Sequence, residues 1–185
     1  AKNANFDCAC GYDPEDAVQE DFGKNDLLDC IYICQELDYK DVMGPLVDAW
    51  KKQTEGTAGW NPSNRSTLIR FNAFLGRSRE NQELYHRQLQ ETLEAEPGNA
   101  RDIIARYRDL IRFYLDTGNH RDAAKYCDIV IESADYRQIK SIRLFGDILE
   151  ECCEAIAHDP AENAGLWKQI KEELKDNPQS GWYGN

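Results

Sequence analysis

The sequence predicts an all-α fold, and three observations carry that prediction. Apolar residues recur at a period of 3.6 over most of the 185 residues. No stretch alternates apolar and polar residues between turn pairs, as a half-buried strand would. The six prolines and twelve glycines fall mostly between the periodic segments, where they act as punctuation. At this length one domain can bury a real core. No apolar run approaches the roughly 18 residues that a membrane span needs.

In chain order, residues 1–23 have no period and read as an irregular acidic segment, including "DPEDAVQED". That run lacks the glycine and ligand pattern of a calcium loop. The helical domain runs over 24–177. Leu27, Cys30, Ile31, Cys34 and Leu37 mark a first helix. Val42, Leu46, Ala49 and Trp50 mark its partner, with Gly44-Pro45 expected to delay or bend its start. A long loop follows over 54–64, where Trp60 reads as an apolar plug between hairpins. Asn64-Arg65-Ser66 fits both a glycosylation acceptor and a helix start. Leu68, Phe71 and Leu75 precede Gly76, and Leu84, Tyr85, Leu89 and Leu93 end at Pro97-Gly98.

The clearest helix is 101–115, with Ile103, Ile104, Tyr107, Leu110, Ile111, Tyr114 and Leu115 on one stripe and charged residues between them. Gly118 supplies the left-handed residue that ends a helix at little cost. The stripe restarts at Ala123 and runs through Cys127, Val130, Ile131 and Ala134. So short a joint makes the two helices fold back antiparallel. Ile142, Phe145, Leu149, Cys152 and Ile156 form a helix closed by His158-Asp159-Pro160. Leu166, Trp167, Ile170 and Leu174 form the last, before a tail at 178–185. The expectation is eight helices in four hairpins.

Charge is unevenly spread along the chain. The net charge is −12, yet residues 65–143 hold 14 basic and 12 acidic residues, including all twelve arginines. Arginine's planar fork grips carboxylates and phosphates through paired hydrogen bonds. The plain reading is i,i+4 pairing on solvated helix faces. The sharper one is a locally positive groove in an acidic molecule, suited to an anionic peptide. A chain of charge −12 repels a phosphate backbone, which argues against nucleic acid.

Tyr107, Leu110, Tyr114, Gly118, Ala123 and Cys127 sit at spacings that resemble the tetratricopeptide repeat, a helix–turn–helix unit of about 34 residues. Ile111 stands where that family has a small glycine, and Val130 where it has its late alanine. "ETLEAEPGNA" is similar to the family's second-helix ending, with Pro97 as the stop. The likeness is good over about 104–134, partial at 65–98 and weak at 26–53 and 137–175. The spacing from Pro97 to Gly118 exceeds the family's by about one helical turn. The resemblance implies an α-α superhelix, a TPR-like solenoid of about four antiparallel hairpins whose first helices line a concave face. In that family the face commonly holds peptide segments. Carried over by position, the groove residues are Arg108 and Arg112 in the best unit, Arg70 in the preceding one, and Lys140 and Arg143 in the following one. Together they resemble a clamp for carboxylates.

Seven cysteines leave one over from any full set of disulfides. Cys8 and Cys10 form C-x-C, and Cys30 and Cys34 form C-x3-C, neither matching the paired C-x2-C of structural zinc sites. Cysteine in an apolar stripe packs as a small hydrophobe, and Cys127, Cys152 and Cys153 read as core fillers. His86, His120 and His158 show no metal spacing, and no catalytic motif stands out. Reduced thiols favour a cytoplasmic protein whose initiator methionine was trimmed before Ala1. An exported protein after signal cleavage is the alternative.

The expected function is a non-enzymatic scaffold, adaptor or chaperone that binds a protein or peptide partner, with no cofactor. By size and acidity alone it also resembles TPR-type chaperones of bacterial secretion systems. The alternatives are a thiol or metal protein using Cys8, Cys10, Cys30 and Cys34, and a structural subunit of a larger assembly.

Overall fold

A computed structural model describes residues 24–57, 60–133 and 143–176. The segment 1–23, the tail from 177 onward, Cys8, Cys10 and Lys140 lie outside the described residues. The described chain is all α-helical, with eight helices. They are α1 (Lys24–Glu36), α2 (Lys40–Thr54), α3 (Pro62–Leu75), α4 (Ser78–Ala95), α5 (Ala100–Asp116), α6 (His120–Glu132), α7 (Arg143–Ala157) and α8 (Ala164–Asp176). The chain divides into two compact units, residues 1–81 and 82–185.

In the first unit α2 packs on α1 and α3. Leu27, Ile31, Met43, Val47, Trp50, Leu68 and Phe71 are buried between them. Phe71 sits edge-on to Trp50 at 6.1 Å and to Tyr32 at 5.4 Å, a geometry that matches the positive ring edge to a negative ring face. The start of α2 corrects the expected delay. The helix begins at Lys40 and runs through Gly44-Pro45 without delay. Gly44 is buried, and a Cβ there would lie 3.1 Å from Arg77 Nη2. The missing side chain leaves room for that guanidinium, which pairs with Asp48 one turn along at 2.6 and 3.1 Å. Trp60 is half-buried.

Three corners share one design. After α3, Arg77 N donates to the Asn72 carbonyl (2.8 Å) across Gly76, which has φ 73°. After α5, Asn119 N donates to the Tyr114 carbonyl (2.8 Å) across Gly118, also at φ 73°. After α1, Tyr39 N donates to the Cys34 carbonyl (2.8 Å), but the left-handed residue is Asp38, at φ 56°. Glycine adopts that conformation without Cβ strain. Asp38→Gly is therefore expected to raise stability by about 0.5–1 kcal/mol. Urea unfolding of the two proteins measures it, and a loss of stability would mean that the Asp38 carboxylate contributes more than the strain costs.

Three helix starts are set by asparagine. Asn61 Oδ1 accepts from Asn64 N at 3.0 Å, with Pro62 next in line, so α3 starts ahead of the Asn64 position that the sequence suggested. Asn99 and Asn119 do the same for Asp102 N (3.2 Å) and Asp122 N (3.3 Å). Each also donates its Nδ2 to that aspartate, at 2.8 and 2.7 Å. The reciprocal pair satisfies orphan first-turn groups and sets a carboxylate at the positive helix end.

In the second unit α6 packs on α5, α7 and α8, and α5 also meets α7. Ile104, Leu110, Ile111, Ala123, Cys127, Val130, Ile148, Cys152 and Ile170 are sealed from solvent in one cluster. Ala123 has no exposed surface, as expected where two helix backbones approach closely. Cys127 on α6 and Cys152 on α7 are both free thiols sealed from solvent, and burial first, then the neighbouring Cys127, pushes the Cys152 thiol well up. On the α4 side, Tyr114 is buried and stacks on Tyr126 at 5.6 Å. Its hydroxyl accepts from Gln82 Nε2 at 3.0 Å and lies 3.0 Å from His86 Nε2. Among the described residues no helix is long and apolar enough to cross a membrane.

Candidate functional site

Arg108 and Arg112 lie one turn apart on α5, and the structure brings them to the same carboxylate. Arg108 Nε donates to Glu151 Oε1 at 3.0 Å, and its Nη1 stands 3.2 Å from Asp147 Oδ2. Arg112 Nη1 lies 3.9 Å from the same Glu151 oxygen, and its Nε 3.4 Å from Asp116. Glu151 and Asp147 come from α7 and Asp116 from the end of α5, so the forks meet the chain's own acids as well as solvent. Glu151 is only 3% exposed at its side chain, whereas Arg112 is 58% exposed. Burial pushes the Glu151 carboxyl above its usual range, Arg108 and then Arg112 oppose that, and Asp147 adds to it. The second oxygen, Oε2, is buried without a hydrogen-bond partner.

Arg70 belongs to the first unit. Its Nη2 donates to the Tyr32 hydroxyl at 2.8 Å, and its guanidinium lies over the Tyr32 and Phe71 rings at 5.4 and 5.6 Å. Arg143 is the first residue of α7. Its side chain, like all of Lys140, lies outside what is described.

The second unit also holds a cleft of about 740 Å³ that sequence reasoning missed. It opens where the α5–α6 corner meets the loop between α7 and α8. His120, the first residue of α6, and His158, just past α7, stack face to face there with ring centres 3.3 Å apart and planes 9° apart. His120 Nδ1 is buried without a hydrogen-bond partner. The wall carries Asp122, Asp128, Asp159 and Glu162 against Arg121 and Lys125. Both cations are drawn aside: Arg121 Nε stands 3.9 Å from Glu162, and Lys125 Nζ lies 6.0 Å over the Tyr126 ring. Asp159 is turned to the backbone, accepting from Glu162 N at 3.2 Å. Its neighbours leave the wall predominantly anionic. The one signal in the sequence was that both histidines sit at helix-ending punctuation, after Gly118-Asn119 and before Asp159-Pro160.

Cys34 is buried and Cys30 half-buried on α1. Among the described residues, no group of three or more His, Cys, Asp or Glu is placed to hold a metal ion. No family model, no curated protein and no solved structure matches this chain.

Proposed function

We propose that the chain is a helical interaction module that binds a segment of another protein in the cleft beside His120 and His158. The observation that carries this reading is the open cavity of about 740 Å³ walled by two helix corners. Its size suits one or two side chains of an extended segment. Its acids outnumber its cations four to two, and with Asp122 turned to Asn119 and Asp159 to the backbone, Asp128 and Glu162 are the ones that favour lysine or arginine on that segment. The flat faces of the stacked imidazoles offer a surface for a guanidinium to lie on. A partner carboxylate reaching Arg108 and Arg112 would compete with Asp147 and Glu151 for the same forks, so basic segments are the better occupants.

A photo-crosslinking residue in place of Lys125, on the cleft wall, tests this in the native cell. The expected result is a discrete covalent adduct with a partner, lost when Asp128→Lys and Glu162→Lys reverse the wall's charge. The same crosslinker at exposed Arg101, which is not part of the wall, supplies the background. Equal adducts at both positions would remove the cleft from the argument.

A second reading, a structural subunit of a larger assembly, is favoured by the exposed apolar side chains at the end of α1. Ile33 and Leu37 are 52% and 53% exposed. Sedimentation of the chain at native concentration, alone and in cell extract, distinguishes a free module from an assembly component.

A further inference from the structure

The corner between α1 and α2 carries a feature that the cleft does not use. Leu37 directly follows α1, and its N–H still donates to the Ile33 carbonyl at 3.1 Å, so it lies one turn beyond Ile33. Cys30 lies on the same flank of α1, three residues before Ile33. Tyr32 and Tyr39 add exposed ring surface, each at 38%. Singly exposed apolar residues are ordinary, but a contiguous ridge of them marks a contact surface.

Along α1 and its corner the charge has one sign, and the cation on the Tyr32 edge is Arg70, which donates to the Tyr32 hydroxyl at 2.8 Å and lies over its ring at 5.4 Å. From Asn25 to Tyr39 the chain holds Asp26, Asp29, Glu36 and Asp38 and no lysine or arginine. All four acids are exposed. Lys24 and Lys40 flank the run in sequence, and Lys40 is 3.8 Å from Asp38 and 5.0 Å over the Phe74 ring. Backbone geometry is an independent sign. Asp38 is the single non-glycine residue at positive φ among the described residues, at the tip of this ridge. The two equivalent corners use glycine there. Backbone outliers of this kind cluster at functional sites, and aspartate is among the few non-glycine residues that adopt this one readily.

We infer that the ridge Tyr32–Ile33–Leu37, with its acidic rim, is a docking surface for a cationic amphipathic helix of another protein. Apolar side chains of that helix lie along Ile33 and Leu37, and its lysines or arginines meet Asp29, Glu36 and Asp38. The pattern is the helix-in-groove mode with charge setting partner choice. A second copy of this chain is disfavoured, because pairing the ridge with itself sets four carboxylates against four. This inference concerns the first unit and stands apart from the cleft.

The test uses the full chain and a labelled leucine–lysine peptide patterned as an amphipathic helix, followed by fluorescence anisotropy. A peptide with glutamate for lysine and one with serine for leucine are the comparators. Ile33→Ser/Leu37→Ser alters only exposed positions, and circular dichroism with a thermal melt verifies its fold. The expected result is binding of the leucine–lysine peptide, weakened at least about tenfold in that variant and in Asp29→Lys/Glu36→Lys. Neither comparator peptide should bind comparably. Unchanged affinity in the serine variant would overturn the inference, since charge alone would then explain binding. Equal binding of the glutamate peptide would overturn it from the other side. A wild-type dimer that the serine variant turns into a monomer would assign the ridge to a second copy instead.

Discussion

Arg108→Ala is expected to destabilise the second unit by about 2–3 kcal/mol, lowering the melting temperature by about 4–12 °C. Glu151 is sealed at 3% exposure, and Arg108 is its closest countercharge. Removing the guanidinium strands an acid whose other oxygen already lacks a hydrogen-bond partner. The figure lies below that for a fully buried pair because Arg108 is itself 36% exposed. The loss depends on pH, and its sign follows from burial. The Glu151 carboxyl is held above its usual range in the fold, so the folded state keeps a proton that the unfolded chain releases. Its favourable contribution is complete below the ordinary glutamate range and fades as pH rises through the higher folded value. Without Arg108 that value rises further. The variant's deficit is therefore largest at neutral pH and shrinks on acidification. Melts from neutral to mildly acidic pH check this, and Glu151→Gln in the variant should recover part of the loss. A variant that melts like the wild type but loses its partner would reassign Arg108 from an internal pair to the binding surface.

Phe71→Ala should cost the first unit about 3–5 kcal/mol. The ring is fully buried and makes T-shaped contacts with both Trp50 and Tyr32. Its loss opens a cavity that rigid helices close only in part, and removes one of the two rings under Arg70. Tyr32 then loses the support that holds it beside the ridge. Urea unfolding gives the size of the effect, and amide exchange should show protection falling in α1, α2 and α3. A cost below about 1 kcal/mol would mean that these helices collapse around the gap.

What could be read from the sequence was local. The stripe from Ile103 to Leu115, the stop at Gly118 and the restart at Ala123 each depend on residues within a turn or two, and all are found in the structure. Gly44-Pro45 reads as delaying or bending α2, whereas the helix starts at Lys40 and runs through the pair, with Gly44 buried beside Arg77. The candidate site was less legible. Arg108 and Glu151 are 43 residues apart, so nothing in either neighbourhood announces their meeting. The charge of Glu151 likewise hides its burial, since a glutamate between Glu150 and Cys152 on an amphipathic helix reads as solvated. His120 and His158 meet only because two corners coincide in space.

The thiols of Cys127 and Cys152 give the second unit a built-in clock. Both are wholly enclosed free thiols, and burial keeps the Cys152 thiol in its unreactive protonated form. An alkylating reagent can reach them only when α6 and α7 part. With reagent in excess, the labelling rate counts those partings, and at lower doses it reports how large a fraction of molecules is open. Mass spectrometry on the unmodified protein could thus time the breathing of this unit, with no probe added to the chain.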